Sequence, residues 1–369
     1  MDKLLINGGN KLKGTIDISG SKNAALPIIV AAGILGQSKS IITNVPHLTD
    51  VKTLCSLLEK LGAKTHLDNN QLTIEPIDQT SYEAPYDLVR KMRASIYVLG
   101  PLLARMGRAK VSFPGGCAIG PRPIDLHLEG LKRLGAKIEV LGGYIDAHAD
   151  SLQGTDIYLK GVFGASVGAT ANVMMAATLG QGTTTIRPAA CEPHITDLAH
   201  FLIKMGASIE GVGTTELKIH GVNSLNGTHH SVLPDDIETG TFMVAAAMTK
   251  GDLFLKGANK AQVQAITEKL VQIGVKMSWQ NDGVRVWADR QLHPTDVRTD
   301  VYPGFPTDMQ AQIMGLLSLV SGVSVITILT SPFPSYTNYK GEKVIQKFSC
   351  GEDCAYCPNE PEERIIMEV

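Results

Sequence analysis

Polar and apolar positions along the chain follow two rhythms, and the pair recurs. An alanine-rich stretch at helical spacing meets a glycine and gives way to a short β-branched run. This happens at 24–45, 94–113, 168–187, 239–256 and 310–327. The turn glycines are Gly36, Gly107, Gly180, Gly251 and Gly322, a period of 71 to 73 residues. Five copies on one period mark internal repetition. The alanine-rich halves predict helices and the β-branched runs predict strands.

A second helix is predicted after the strand. Its openings read Pro46-His47-Leu48-Thr49-Asp50, Pro123-Ile124-Asp125 and Pro193-His194-Ile195-Thr196-Asp197. Proline presets the turn, and Thr or Asp can cap the helix. The repeated Pro-His-x-Thr-Asp therefore reads as a structural device rather than a catalytic His-Asp pair. These helices end at Leu61-Gly62-Ala63, Leu134-Gly135-Ala136, Met205-Gly206-Ala207 and Ile273-Gly274-Val275, where glycine reaches the left-handed conformation without penalty. Short strands follow around 64–72 and 137–145. One unit is thus an α/β element of about 70 residues, too long for a solenoid repeat and too short for a domain. A few such units are expected to pack helices inward and sheets outward.

The chain has 369 residues, which suggests two domains, or three, at roughly 150 residues each. Hydrophobic residues make up 44% and charged residues 19%, excluding disorder over most of the length. The net charge of −2 excludes a global basic field for nucleic acid, so an anionic ligand must be met by a local cluster. No signal-peptide pattern opens the sequence, so a cytoplasmic location is expected. The longest apolar runs, 24–35 and 313–329, are short or broken by Gly and Ser, and no membrane span is expected.

Three of four chemically suggestive segments open predicted helices, where free N–H groups favour anions. They are Gly20-Ser21-Lys22-Asn23, Lys91-Met92-Arg93-Ala94 and Phe305-Pro306-Thr307-Asp308. The fourth, Pro114-Gly115-Gly116-Cys117-Ala118-Ile119-Gly120-Pro121-Arg122-Pro123, is a loop after the second strand. Residues 88–122 carry Arg90, Lys91, Arg93, Arg105, Arg108, Lys110 and Arg122 with no carboxylate. Arg105, Arg108 and Lys110 read as solvated helix faces. Arg93 and Arg122, beside helix starts and the glycine-rich loop, read as anion ligands. Cys117, near several cations, is the candidate nucleophile or acid, with an inert loop cysteine as the alternative. Cys55 and Cys191 sit in or beside helix patterns and read as structural.

Those strings, with Ser166-Val167-Gly168-Ala169-Thr170 and Phe305-Pro306-Thr307-Asp308-Met309-Gln310, resemble the UDP-N-acetylglucosamine 1-carboxyvinyltransferases, the enolpyruvyl transferases that open peptidoglycan precursor synthesis. The resemblance runs from Met1 to about Thr327. It implies an inside-out α/β barrel fold of two domains with three units each and an active site in the cleft between them. The first domain would be 22–232. The second would be 1–21 with 233–327, and incomplete. The implied substrates are phosphoenolpyruvate and UDP-N-acetylglucosamine, with no cofactor and no metal. By the same resemblance Cys117 is the acid, Asp308 the base, and Lys22 and Asn23 contact phosphoenolpyruvate. Arg93, Arg122, Pro123, Ile124, Asp125 and Leu126 meet the UDP-sugar or the anionic substrate, with His127, Ser166 and Val167 in matching nucleotide-site motifs. Gly164 stands where some members carry a lysine. The alternatives are the related transferase acting on shikimate 3-phosphate, whose resemblance does not predict a Gly-Gly-Cys loop, and a binding or regulatory protein on the same scaffold.

After Thr327 the resemblance stops. An incomplete second domain is expected to leave apolar faces such as 313–319 partly uncovered. The tail, 328–369, carries Cys350, Cys354 and Cys357. Their C-x3-C-x2-C spacing resembles the cluster signature of radical S-adenosylmethionine enzymes, but no barrel accompanies it. Weak zinc or iron binding by the three thiols is the residual expectation. The sequence does not indicate an oligomeric state.

Overall fold

The computed structural model describes residues 5, 7–78, 81–115, 124–161, 164–289 and 291–327, with the backbone of three short strands beyond them. Cys117, Arg122, Pro123, Cys350, Cys354 and Cys357 lie outside the described residues. In chain order the elements are β1 (Lys13–Asp17), α1 (Lys22–Ile34), β2 (Ser40–Thr43), α2 (Thr49–Lys60), β3 (Lys64–Asp68) and β4 (Gln71–Glu75). Then come β5 (Glu83–Ala84), α3 (Tyr86–Val89), a 3-10 turn (Arg93–Val98), α4 (Leu99–Met106), β6 (Arg108–Ser112), α5 (Asp125–Arg133), β7 (Lys137–Leu141) and β8 (Tyr144–His148). The third repeat holds β9 (Asp156–Tyr158), β10 (Lys160–Gly161), β11 (Gly164–Ala165), α6 (Val167–Ala177), β12 (Thr183–Arg187), α7 (Pro193–Met205), β13 (Ser208–Glu210), β14 (Leu217–His220) and β15 (His229–Ser231). The fourth holds α8 (Asp236–Met248), β16 (Asp252–Lys256), α9 (Gln264–Ile273), β17 (Lys276–Gln280) and β18 (Gly283–Trp287). Last are β19 (Val297–Arg298), a 3-10 turn (Thr307–Met309), α10 (Gln310–Leu317), β20 (Val323–Thr327), β21 (Ser335–Thr337), β22 (Lys343–Ile345) and β23 (Arg364–Glu368).

All five predicted helix–strand pairs are present. The second helices of the first four repeats end where expected. Gly62, Gly135, Gly206 and Gly274 have φ of +107°, +97°, +109° and +108°, a conformation that favours glycine.

The described chain forms two compact units. One, here the inserted unit, is Gly20–Leu233. The other, the flanking unit, takes β1 together with 234–327. Each has its own apolar core.

In the inserted unit, α1 and α6 are buried along nearly their whole length, from Ala24 to Ile34 and from Ala169 to Ala177. A helix apolar on every side belongs in the middle of a core. Outer helices are amphipathic: α2 buries Val51, Leu54, Leu57 and Leu58 and exposes Lys52, Ser56 and Glu59. The sheets lie outside them. β4 buries Leu72 and Ile74 and turns Gln71 and Glu75 to solvent.

Four sheets share one order. An edge strand runs parallel to a central strand, which then joins an antiparallel pair. The orders are β15-β2-β4-β3, β5-β6-β8-β7 and β9-β12-β14-β13 in the inserted unit and β1-β16-β18-β17 in the flanking unit. In a fifth sheet, β19 is parallel and β23 antiparallel to β20. The first sheet is completed from the far end of its unit, with His229, His230 and Ser231 in register with Ile41, Ile42 and Thr43.

One expectation needs correction. Arg108 and Lys110 lie on strand β6, not on a helix face, and pair with Asp146 and Glu83 across the sheet at 3.2 and 3.1 Å. The apolar face at 313–319 is partly uncovered, as expected. Ile313, Leu316 and Leu317 are buried because α10 packs on α8, and Leu319 alone of these is 64% exposed. Among the described residues no helix is long and apolar enough to cross a membrane.

Candidate active site

In the inserted unit the candidate residues sit at helix starts. Ser21 caps α1 by accepting a hydrogen bond from the Ala24 amide at 3.4 Å. Lys22 is the first helical residue, and its Nζ lies 3.2 Å from Asp50 Oδ2. Asn23 beside it is exposed. Arg93 opens the 3-10 turn before α4. Ile124 is the buried cap residue of α5, followed by exposed Asp125, half-buried Leu126 and buried His127. Ser166 caps α6 by accepting from the Ala169 amide at 3.3 Å, and Val167 follows as the first helical residue. The first turn of a helix leaves amides without intrahelical partners, so these starts favour anions.

The structure brings three of these positions together. Arg93 acts electrostatically on His127, and the His127 ring lies against the first turn of α6. A Cβ built on Gly168 would fall 2.8 Å from His127 Nε2, so only glycine fits there. Burial, helped by the Arg93 charge, pulls the His127 imidazole down to about 3 from its usual value near 6.5. The ring is neutral at physiological pH and is no source of a proton.

Several participants were not singled out in the sequence. Asn172, the one amide in the buried run of α6, bonds His127 Nδ1 at 3.1 Å. Tyr97, in the same turn as Arg93, has its hydroxyl pushed up to about 12 by burial, against the pull of Arg93. Glu192, the cap residue of α7, has its carboxyl raised by burial, and its Oε2 has no partner among the described residues. A polar residue inside an alanine-rich helix was the available signal for Asn172. Glu192 had none.

The two Pro-His-x-Thr-Asp copies use their aspartates differently. Asp50 pairs with Lys22, whereas Asp197 accepts from His230 Nε2 at 2.9 Å and from the Leu233 amide at 3.2 Å. The motif is a helix opening whose aspartate ties down whatever lies nearby. Cys55 is buried in α2 with its thiol pushed up to about 11, mainly by burial, and Cys191 is raised for the same reason. Neither is poised as a thiolate.

In the flanking unit Asp308 is exposed on the 3-10 turn, and its neighbour Met309 is buried against Gly240 of α8. Asp235 caps α8 by accepting from the Glu238 amide at 2.8 Å, and Glu238 accepts from the Ser19 amide at 2.8 Å. Asp236 is half-buried. Burial first, then the charges of Asp235 and Asp308, pushes its carboxyl up to about 6. Asp308 thus acts electrostatically on Asp236 at the start of α8, beside Asp235. Among the described residues no group of His, Cys, Asp or Glu could hold a metal ion.

The sequence model of the EPSP synthase (3-phosphoshikimate 1-carboxyvinyltransferase) family matches residues 6–330. A UDP-N-acetylglucosamine 1-carboxyvinyltransferase of Halothermothrix orenii is 49% identical over 326 residues, covering 88% of this chain and 78% of that protein. Its namesake from Granulibacter bethesdensis is 51% identical over 330 residues, with coverages of 89% and 78%. Among solved structures, the enolpyruvyl transferase NikO from Streptomyces tendae superposes with a TM-score of 0.79 at 24% identity, over 88% of this chain and 76% of that one. EPSP synthase from Acinetobacter baumannii gives 0.66 at 17% identity, with coverages of 92% and 83%. At those identities the solved structures speak for the fold.

Proposed function

The chain belongs to the EPSP synthase family, and from that premise we propose that it transfers the enolpyruvyl group of phosphoenolpyruvate to the 3-hydroxyl of UDP-N-acetylglucosamine and releases phosphate. The observation that carries the reading is about 50% identity, over 88% of the chain, to proteins named for that reaction. It is the entry step of peptidoglycan precursor synthesis. Its substrates are soluble and anionic, and its setting is the cytoplasm.

The reaction needs a base, an acid and fixed cations. The sugar O3 attacks C2 of phosphoenolpyruvate and gives its proton to Asp308. C3 takes a proton from the Cys117 thiol. In the second half C3 returns a proton to the thiolate, the C2–C3 double bond re-forms and the C2–O bond to phosphate breaks; the departing phosphate carries away the proton that Asp308 took from O3, which restores the base. Lys22 and Asn23 hold phosphoenolpyruvate. Arg93, Arg122, Pro123, Ile124, Asp125 and Leu126 hold the UDP-sugar or the anionic substrate, and His127, Ser166 and Val167 belong to the nucleotide site. Cations and helix starts meet the anions where charge is constant, and no metal or cofactor enters the scheme.

The family description favours a second reading, transfer to shikimate 3-phosphate. Phosphate release separates the two. It is expected with phosphoenolpyruvate plus UDP-N-acetylglucosamine and not with shikimate 3-phosphate. Release with shikimate 3-phosphate alone would overturn the first reading.

A further inference from the structure

Asn172 is fully buried in α6 and makes three hydrogen bonds. Its Oδ1 accepts from the Gly100 amide at 2.8 Å, and its Nδ2 donates to the Ile96 carbonyl at 2.9 Å. An amide N–H can only donate and a carbonyl oxygen can only accept, so the orientation of the Asn172 side chain is fixed. The second Nδ2 hydrogen then points to His127 Nδ1, 3.1 Å away. Nδ1 must accept, which leaves the ring proton on Nε2. That nitrogen faces Gly168 in the first turn of α6, two residues past the Ser166 cap.

Glycines make this approach possible. A Cβ on Gly100 would lie 2.4 Å from Asn172 Oδ1, and one on Gly168 would lie 2.8 Å from His127 Nε2. All but 4% of His127 is buried, and the hydrogen bond that holds its ring is made through Nδ1, which leaves Nε2 available at the start of α6.

We propose that Asn172 is a positioning residue, holding His127 as the neutral Nε2–H tautomer so that it offers an uncharged donor to a phosphoryl oxygen of the nucleotide sugar at the start of α6. The ligand half of this inference rests on the reading of the preceding section. The tautomer half does not. A neutral donor beside Arg93 adds a directed hydrogen bond without adding a second charge that would titrate. The titratable groups around it are Arg93 and Tyr97 on the 3-10 turn and, acting on Tyr97, Glu192 at the start of α7.

The test begins with the full chain, labelled with 15N-histidine and read by long-range 1H–15N correlation. His127 is expected to show a protonated Nε2 and a bare Nδ1 from pH 5.5 to 8. A proton on Nδ1, or titration near 6.5, overturns the proposal. Calorimetric titration with UDP-N-acetylglucosamine reads the ligand half. His127→Gln keeps an N–H donor at the ring's far end and should bind within about threefold of the wild type. His127→Phe fills the space without a donor and should bind about tenfold more weakly or worse, the loss of one hydrogen bond to a charged group. KM should rise with kcat little changed. Asn172→Asp, whose carboxylate draws the proton to Nδ1, should weaken binding to a similar degree and reverse the tautomer signature. Wild-type affinity in His127→Phe or in folded Asn172→Asp overturns the proposal. A wild-type chain that binds no UDP-N-acetylglucosamine overturns the functional reading instead, and the ligand-free spectrum tells the two failures apart.

Discussion

A histidine buried beside an arginine can remain folded only while it remains neutral. His127 is held down to about 3, whereas an unfolded chain protonates it near 6.5. Above 6.5 both states are neutral and the group has no effect. As pH falls below 6.5 the unfolded state takes a proton that the folded state refuses, and stability drops by up to about 1.4 kcal/mol per pH unit. Asp236 works in the opposite direction. Its folded carboxyl is raised to about 6, so the folded state binds the proton first and gains stability as pH falls from 6 towards 4. Urea unfolding at pH 7 and pH 5 should show His127→Gln losing less stability on acidification than the wild type, and Asp236→Asn losing more. Catalytic substitutions should separate similarly. Cys117→Ser should abolish most phosphate release while UDP-N-acetylglucosamine binding survives, and Cys117→Asp should keep some, because a carboxylic acid can also deliver a proton. Lys22→Ala should cost about 1 to 3 kcal/mol in kcat/KM, and Arg108→Ala, an exposed sheet pair, almost nothing. Equal losses at Lys22 and Arg108 would remove the case for the helix-start site.

Elements come next, and here the packing of α4 against α6 is the sharpest test. Gly100→Ala places a methyl where Asn172 already stands. It should cost more than about 2 kcal/mol, measured as a shift in urea midpoint, and disturb His127 with it. Ser166→Ala removes a cap and should cost only about 1 kcal/mol. The boundaries of these elements were legible because glycines punctuate them. Gly62, Gly135, Gly206 and Gly274 end their helices in the conformation that their spacing predicts. Helix starts carrying Lys22, Arg93 and Asp308 were legible for the same reason. The edge strands were not. β15 is a three-residue stretch, His229–Ser231, whose partner lies far back in the chain, and nothing local marks it as a strand. Nor could spacing reveal Asn172, since its partners arrive from the 3-10 turn, α4 and α5. The resemblance picked out the Cys117 loop, which lies outside the described residues.

At the scale of the whole molecule, the described residues form two cores, one built around α1 and α6 and one around α8 and α10. Each should melt as its own cooperative unit. Leu57→Ala, fully buried in the first, and Leu270→Ala, fully buried in the second, should each lower one of two urea transitions by about 2 to 5 kcal/mol and leave the other in place. A single transition moved by both would show that the cores unfold together. The parallel edge strands add a consequence for biosynthesis. A ribosome delivers β1 first, but its register partner Asp252-Leu253-Phe254-Leu255-Lys256 emerges more than two hundred residues later. The inserted unit is also unfinished until His229–Ser231 arrives to lie on β2. The nascent chain must therefore complete Gly20–Leu233 while β1 waits with an unpaired edge. The composition of β1 suits that wait. Lys13, Gly14, Thr15 and Asp17 leave Ile16 as its one large apolar side chain, so the idle strand offers little for a neighbouring nascent chain to grip.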